Sequence, residues 1–127
     1  AIATLREELE RACQPGMNLV CPLAIGNHVD HQLTRLVLEG MRRPLWYYAD
    51  YPYAERGRVQ IEGLEQAGWV SHRFSISEDG LLAWQDSVAA HGSQISTFWP
   101  GETEMRQAIV AYLGRNNGLR LWRRPDP

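Results

Sequence analysis

His28-Val29-Asp30-His31 is the one compact cluster of chemically able side chains in this sequence. Two imidazoles and a carboxylate this close together can supply a metal ligand, a general acid or base, and a group that stabilises a developing oxyanion. The cluster follows a short apolar run and opens an amphipathic one. That places it where a strand runs into the head of a helix, the end of an open α/β sheet at which ligands bind. Equally, Asp30 can serve as a helix cap that accepts free backbone N–H groups, with both histidines as partly exposed polar residues. A catalytic zinc usually takes three protein ligands and leaves a fourth position for water, so His28 and His31 need not bind one ion. One can hold metal while the other faces a substrate.

The elements that must position this cluster follow from periodicity. Leu5, Leu9, Ala12 and Cys13 recur at helical spacing until Pro15-Gly16, which predicts a first amphipathic helix. Leu19 to Leu23 is too short for a helix and predicts a buried strand leading to a Gly26-Asn27 turn. Leu33, Leu36, Val37 and Met41 form the expected buried face of a second helix, which Pro44 ends. Leu45-Trp46-Tyr47-Tyr48-Ala49 is rich in residues that suit a covered strand. Helix alternating with short apolar strand indicates an α/β layer with parallel strands. Asp50 to Arg58 reads as a loop, and Glu62 to Ala67 as a helical turn. Val70, His72, Phe74 and Ile76 alternate with polar residues and predict a half-buried strand. Beyond it come a helix over Leu81 to Thr97 that breaks near Gly92, a helix with Met105, Ala108, Ile109, Tyr112 and Leu113 on one face, and a final strand at Leu119 to Trp122.

The 127 residues, 44% of them hydrophobic, suffice for one core, and no repeat or low-complexity segment marks an internal boundary. No apolar run approaches the roughly 18 residues of a membrane span, and no signal-peptide pattern is visible. A net charge of -2, with basic residues clustered only as Arg42-Arg43 and Arg123-Arg124, leaves no electrostatic footprint for nucleic acid. Cys13 and Cys21 lack C-x-x-C spacing and read as free, mostly buried thiols, which points to the cytoplasm.

The run Pro22-Leu23-Ala24-Ile25-Gly26-Asn27-His28-Val29-Asp30-His31, followed by Tyr48-Ala49-Asp50-Tyr51-Pro52-Tyr53-Ala54, resembles the second half of an LmbE-like (PIG-L) N-deacetylase. Ser93-Gln94-Ile95 and Leu119-Arg120-Leu121-Trp122-Arg123 resemble the same family, in the same order. The resemblance implies a Rossmann-like three-layer α/β/α fold and a zinc-dependent hydrolase that removes the acetyl group from an N-acetylated amino sugar or its conjugate. It implies that His31 is a zinc ligand, that His28 faces the substrate carbonyl or leaving amine, and that Asp30 holds an imidazole in its working orientation. In such an enzyme a zinc-bound water, its pKa lowered from about 16 toward about 7, attacks the amide carbonyl.

One departure is large. The family's other ligands, a His and an Asp, and its general-base aspartate lie in a His-Pro-x-Asp-Asp segment that nothing here matches. His72 and His91 are followed by neither Pro nor paired carboxylates. Together with a start at Ala1 rather than Met, this leads to the expectation that residues 1–127 are the C-terminal portion of one LmbE-like domain. The isolated chain is then expected to bind zinc weakly, to turn nothing over, and to expose a sheet edge that invites pairing with a second copy. A non-catalytic carbohydrate-binding or interaction module on the same fold is the alternative. A dinucleotide enzyme is disfavoured, since no Gly-x-Gly-x-x-Gly follows a strand. Trp46, Tyr47, Tyr48, Tyr51 and Tyr53 can be either a sugar-stacking surface or strand aromatics. Asp50 is within reach of the site without an assigned role, and Ser93 and Gln94 are candidates for its outer shell.

Overall fold

Proline and glycine punctuate the chain where the sequence places them. A computed structural model describes residues 1–126. In it α1 (Ile2–Ala12) stops before Pro15-Gly16, and Gly16 takes a left-handed φ of +87°. There follow β1 (Leu19–Pro22), α2 (Val29–Gly40), β2 (Leu45–Tyr48), a 3-10 turn (Tyr53–Arg56) and α3 (Arg58–Gln66). β3 (Val70–Phe74), α4 (Glu78–Ala89), α5 (Gly92–Ile95), α6 (Glu102–Asn116) and β4 (Leu119–Arg123) complete the order. The fold is mixed α/β, with a four-stranded sheet in the order β1-β2-β4-β3. β1 and β2 are parallel, as the alternation predicts, and β4 joins β2 antiparallel, so the sheet is mixed. No described helix is long and apolar enough to cross a membrane.

The described chain divides into two compact units. One holds Ala1–His72 and the residues from Leu121 onward, and the other holds Arg73–Arg120. The first unit has its core on one face of the sheet. Strand period places Leu19 and Cys21 of β1, Tyr47 of β2 and Trp122 of β4 on that face, where Leu38 and Met41 meet them. Cys21 is free and fully buried; burial, with Glu39 adding to it, pushes its thiol up to about 12, so it stays protonated and inert. In the second unit Met105, Ile109 and Tyr112 of α6 are buried, and Gln85 of α4 is satisfied by donating to the Arg106 carbonyl at 3.0 Å. Ser77 caps α4 by accepting from the Gly80 N–H at 3.0 Å.

Several expectations change. α2 begins at Val29, so its cap is His28, whose Nδ1 accepts from the Asp30 N–H at 3.3 Å; Asp30 lies inside the first turn instead. There its charge suits the positive end of the helix dipole. The buried face of α2 is Val37 and Leu38 with Met41 at its end, while Leu33 and Leu36 are exposed. Two apolar stripes share this helix, and only one of them meets β1. The alternation at Val70 does form a strand, yet Val70, His72 and Phe74 are all exposed. Residues 58–66, which extend into the stretch read as loop, are helical.

Glu39, on α2, ties the first unit together. Its Oε1 accepts from Arg35 Nε at 2.9 Å, from the Tyr47 hydroxyl at 2.9 Å and from Arg124 Nη2. Burial pushes the Glu39 carboxyl up, but the hydrogen bonds from Arg35, Tyr47 and Arg124 outweigh it and hold the group below its ordinary 4.5. A carboxylate depressed on folding stabilises above its unfolded pKa, and that contribution is lost as pH falls through the folded value. The difference in urea midpoint between wild type and Glu39→Gln should therefore be constant near neutrality and narrow as pH falls below about 4.5. A difference that stays constant down to pH about 3 shows that the network carries no such linkage.

Candidate functional site

The site lies where β1 and β2 end. After Pro22 the chain turns through Ala24 at φ +64°, Gly26 at +90° and Asn27 at +58°, with the Asn27 N–H bonded to the Ala24 carbonyl at 3.1 Å. A left-handed alanine costs of order 1 kcal/mol and persists only where its surroundings enforce it. Here the enforcing contact is visible, since the Ile25 N–H donates to Asp50 Oδ2 at 2.8 Å. The turn delivers His28 to the helix cap and His31 to the first turn of α2. Their ring centroids are 5.0 Å apart.

Asp50 stands two residues beyond the end of β2, and its side chain is 0% exposed. Its Oδ1 lies 2.7 Å from His31 Nδ1. The two atoms meet off the line of an ideal hydrogen bond, and neither has another hydrogen-bond partner among the described residues. The ring of His31 is 32% exposed overall, so its accessible atoms lie away from Nδ1. Asp30 behaves differently. Its carboxylate is exposed and stays 3.9 Å from His28 Nδ1, too far for a hydrogen bond, and it engages that ring through its backbone N–H.

Tyr53 closes one side of the pair. Its ring centroid is 6.4 Å from each imidazole and edge-on to His31. The ring lies over Gly26, where a Cβ would come within 2.5 Å of it, so a residue with a side chain there would displace the tyrosine. The other aromatic residues do not form one surface. Tyr47 is buried against Trp69 at 5.1 Å, whereas Trp46 faces the opposite side of β2, stacked by Arg123 at 4.7 Å and edge-on to His72. His91 sits at the start of α5, and Ser93 and Gln94 lie within it, in the second unit.

The donor set fits part of a zinc site. A metal-bound histidine commonly gives its other N–H to a carboxylate, and His31 with Asp50 has that form. Among the described residues, however, no group of three or more His, Cys, Asp or Glu is placed to hold a metal ion. These residues therefore fit one ligand with its outer-shell partner and fall short of the three that a catalytic zinc requires. A hollow of about 230 Å³ beside the turn is lined by Leu23, Ile25, Arg35, Gln60 and Leu64 and includes neither histidine. Comparison of the chain with family models, with curated proteins and with solved structures returns no match.

Asp50 is a site residue that local sequence reasoning leaves without a role, and Tyr53, left open there between a sugar-stacking surface and a strand aromatic, stands in the 3-10 turn rather than in a strand. Besides lying in the Tyr48 to Ala54 run that carries the resemblance, each stands just beyond the carboxyl end of β2, as the histidines stand beyond β1.

Proposed function

We propose that this chain is the C-terminal portion of an LmbE-like, zinc-dependent N-deacetylase domain with a Rossmann-like three-layer architecture, acting on an amino sugar or amino-sugar conjugate. The carrying observation is the pair of imidazoles 5.0 Å apart at the carboxyl ends of two parallel strands, one of them backed by a buried carboxylate. In this reading His31 contributes one zinc ligand, His28 faces the substrate carbonyl or leaving amine, and Asp30 orients His28 through its N–H. The remaining ligands belong to a His-Pro-x-Asp-Asp segment outside these residues.

The sheet supports that division. Parallel strands are normally internal and covered on both faces, yet β1 is an edge strand and its Val20 is exposed. Val29, Leu33 and Leu36 make a further exposed apolar stripe on α2 at i, i+4 and i+7. Further strands and another helical layer would cover these surfaces, and without them pairing with a second copy is the expected consequence. The free Cys13 and Cys21 agree with a cytoplasmic setting.

The test uses the native gene product that contains this chain. It should hold stoichiometric zinc and release acetate from an N-acetylglucosamine conjugate, and a chelator should abolish the release. Acetate release that survives complete zinc removal would overturn the proposal. A zinc-free protein that binds the conjugate without hydrolysing it favours the non-catalytic carbohydrate-binding module.

A further inference from the structure

The geometry points to Asp50 as a positioning residue that holds His31 as the Nδ1–H tautomer, leaving the Nε2 lone pair as the working atom of that ring. The assignment deepens the reading of His31 as a metal ligand. Its immediate basis is a count of donors. Asp50 is a fully buried carboxylate, and a bare acceptor facing one of its oxygens would be costly. Oδ2 is satisfied by the Ile25 N–H at 2.8 Å. Oδ1 lies 2.7 Å from His31 Nδ1, off the line of a hydrogen bond, and has no hydrogen-bond partner among the described residues. A carboxylate only accepts, and a neutral imidazole carries one donor and one acceptor nitrogen. Two bare acceptors at that distance would repel, so the proton is on Nδ1.

His28 has the opposite arrangement. Its Nδ1 accepts from the Asp30 N–H, which in the neutral ring puts the proton on Nε2. Adjacent imidazoles thus present unlike faces. His31 offers a lone pair at Nε2, the form a metal or a proton donor needs, and His28 offers an N–H, the form a carbonyl oxygen needs. Backbone and buried carboxylate set this difference before any ligand arrives.

Asp50→Asn gives a test that a merely structural role for Asp50 would not meet. The asparagine is nearly isosteric, and the Ile25 N–H requires the amide oxygen to occupy the place of Oδ2. The amide NH₂ then faces His31 Nδ1, which must become an acceptor, and the ring proton moves to Nε2. The tautomer inverts although the fold is kept.

Long-range ¹H–¹⁵N correlation spectra of the histidine-labelled chain at about pH 8.5 read this directly. In wild type His31 should show a protonated Nδ1 and a bare Nε2, with His28 showing the reverse as an internal reference. In Asp50→Asn the His31 pattern should invert and the His28 pattern should remain. A wild-type His31 protonated at Nε2 overturns the proposal without any variant, and so does an unchanged His31 pattern in a folded Asp50→Asn. The spectra need neither metal nor substrate, so they stand or fall separately from the deacetylase reading. In the native gene product the same substitution should weaken zinc binding roughly 10–100-fold, read by competition with a chelating dye.

Discussion

On the deacetylase proposal, His31→Ala in the native gene product should lose zinc, whereas His28→Ala should keep zinc and lose turnover. The two rings are 5.0 Å apart, so a general disturbance of the turn would affect both properties in both variants. Separate outcomes therefore report separate roles. For His31 the expected loss of zinc affinity exceeds about 100-fold, because removing an outer-shell partner alone costs roughly 10–100-fold. For His28 the expected fall in kcat is about 10²–10⁴-fold, the usual contribution of a positioned proton donor or acceptor. Elemental analysis and acetate release measure the two quantities on the same samples. Zinc at full stoichiometry in His31→Ala, with turnover intact, would remove His31 from the ligand set. A His28→Ala protein that turns over normally would leave His28 as a helix cap alone, a role its Nδ1 already fills for the Asp30 N–H.

Local rules made part of this arrangement legible in the sequence. Pro15-Gly16, the Gly26-Asn27 turn and Pro44 are stops whose backbone chemistry acts on immediate neighbours, and α1, β1, α2 and β2 fall between them. The His28-Val29-Asp30-His31 cluster stands out for the same reason, being compact in sequence. Asp50 does not, because its value comes from contacts with Ile25 and His31 that the parallel pairing of β1 and β2 creates. Nothing next to Asp50 in sequence announces them.

Which apolar residues are covered was also illegible, for a related reason. α2 carries Val29, Leu33 and Leu36 on one stripe and Val37, Leu38 and Met41 on another, and helical period admits either as the buried face. The choice is made by β1, which α2 meets through Leu38 and its neighbours in the core. The alternation of Val70 and His72 likewise identifies a strand but not which side of it is covered. His72 packs edge-on to Trp46, so this row belongs to the sheet face opposite Tyr47 and Trp122. Periodicity reports that an element has two faces, and only its neighbours decide which is buried.

The largest stability effect is expected at Trp122, which the strand pattern put in β4 and the fold puts at 1% exposure. Trp122 stands opposite Tyr47 in the antiparallel β2-β4 pair, within the cluster that includes Leu19, Cys21, Leu38 and Met41. Trp122→Ala removes the largest fully buried side chain of the described core. The hole cannot close easily, because Tyr47 is held by Glu39 through its hydroxyl and by Trp69 at 5.1 Å. Sites that cannot collapse give the higher cavity costs, so the loss should be about 3–5 kcal/mol, with a fall in Tm of roughly 10–20 °C. That is a large share of the 5–15 kcal/mol that stabilises a typical domain, so Trp122→Phe, which keeps part of the ring, provides an intermediate point. Val110→Ala, at a position 49% exposed on α6, should stay within about 0.5 kcal/mol of wild type. Urea titration of all three variants checks the order. A Trp122→Ala protein less than about 1 kcal/mol below wild type would mean that β4 does not bury its indole against β2.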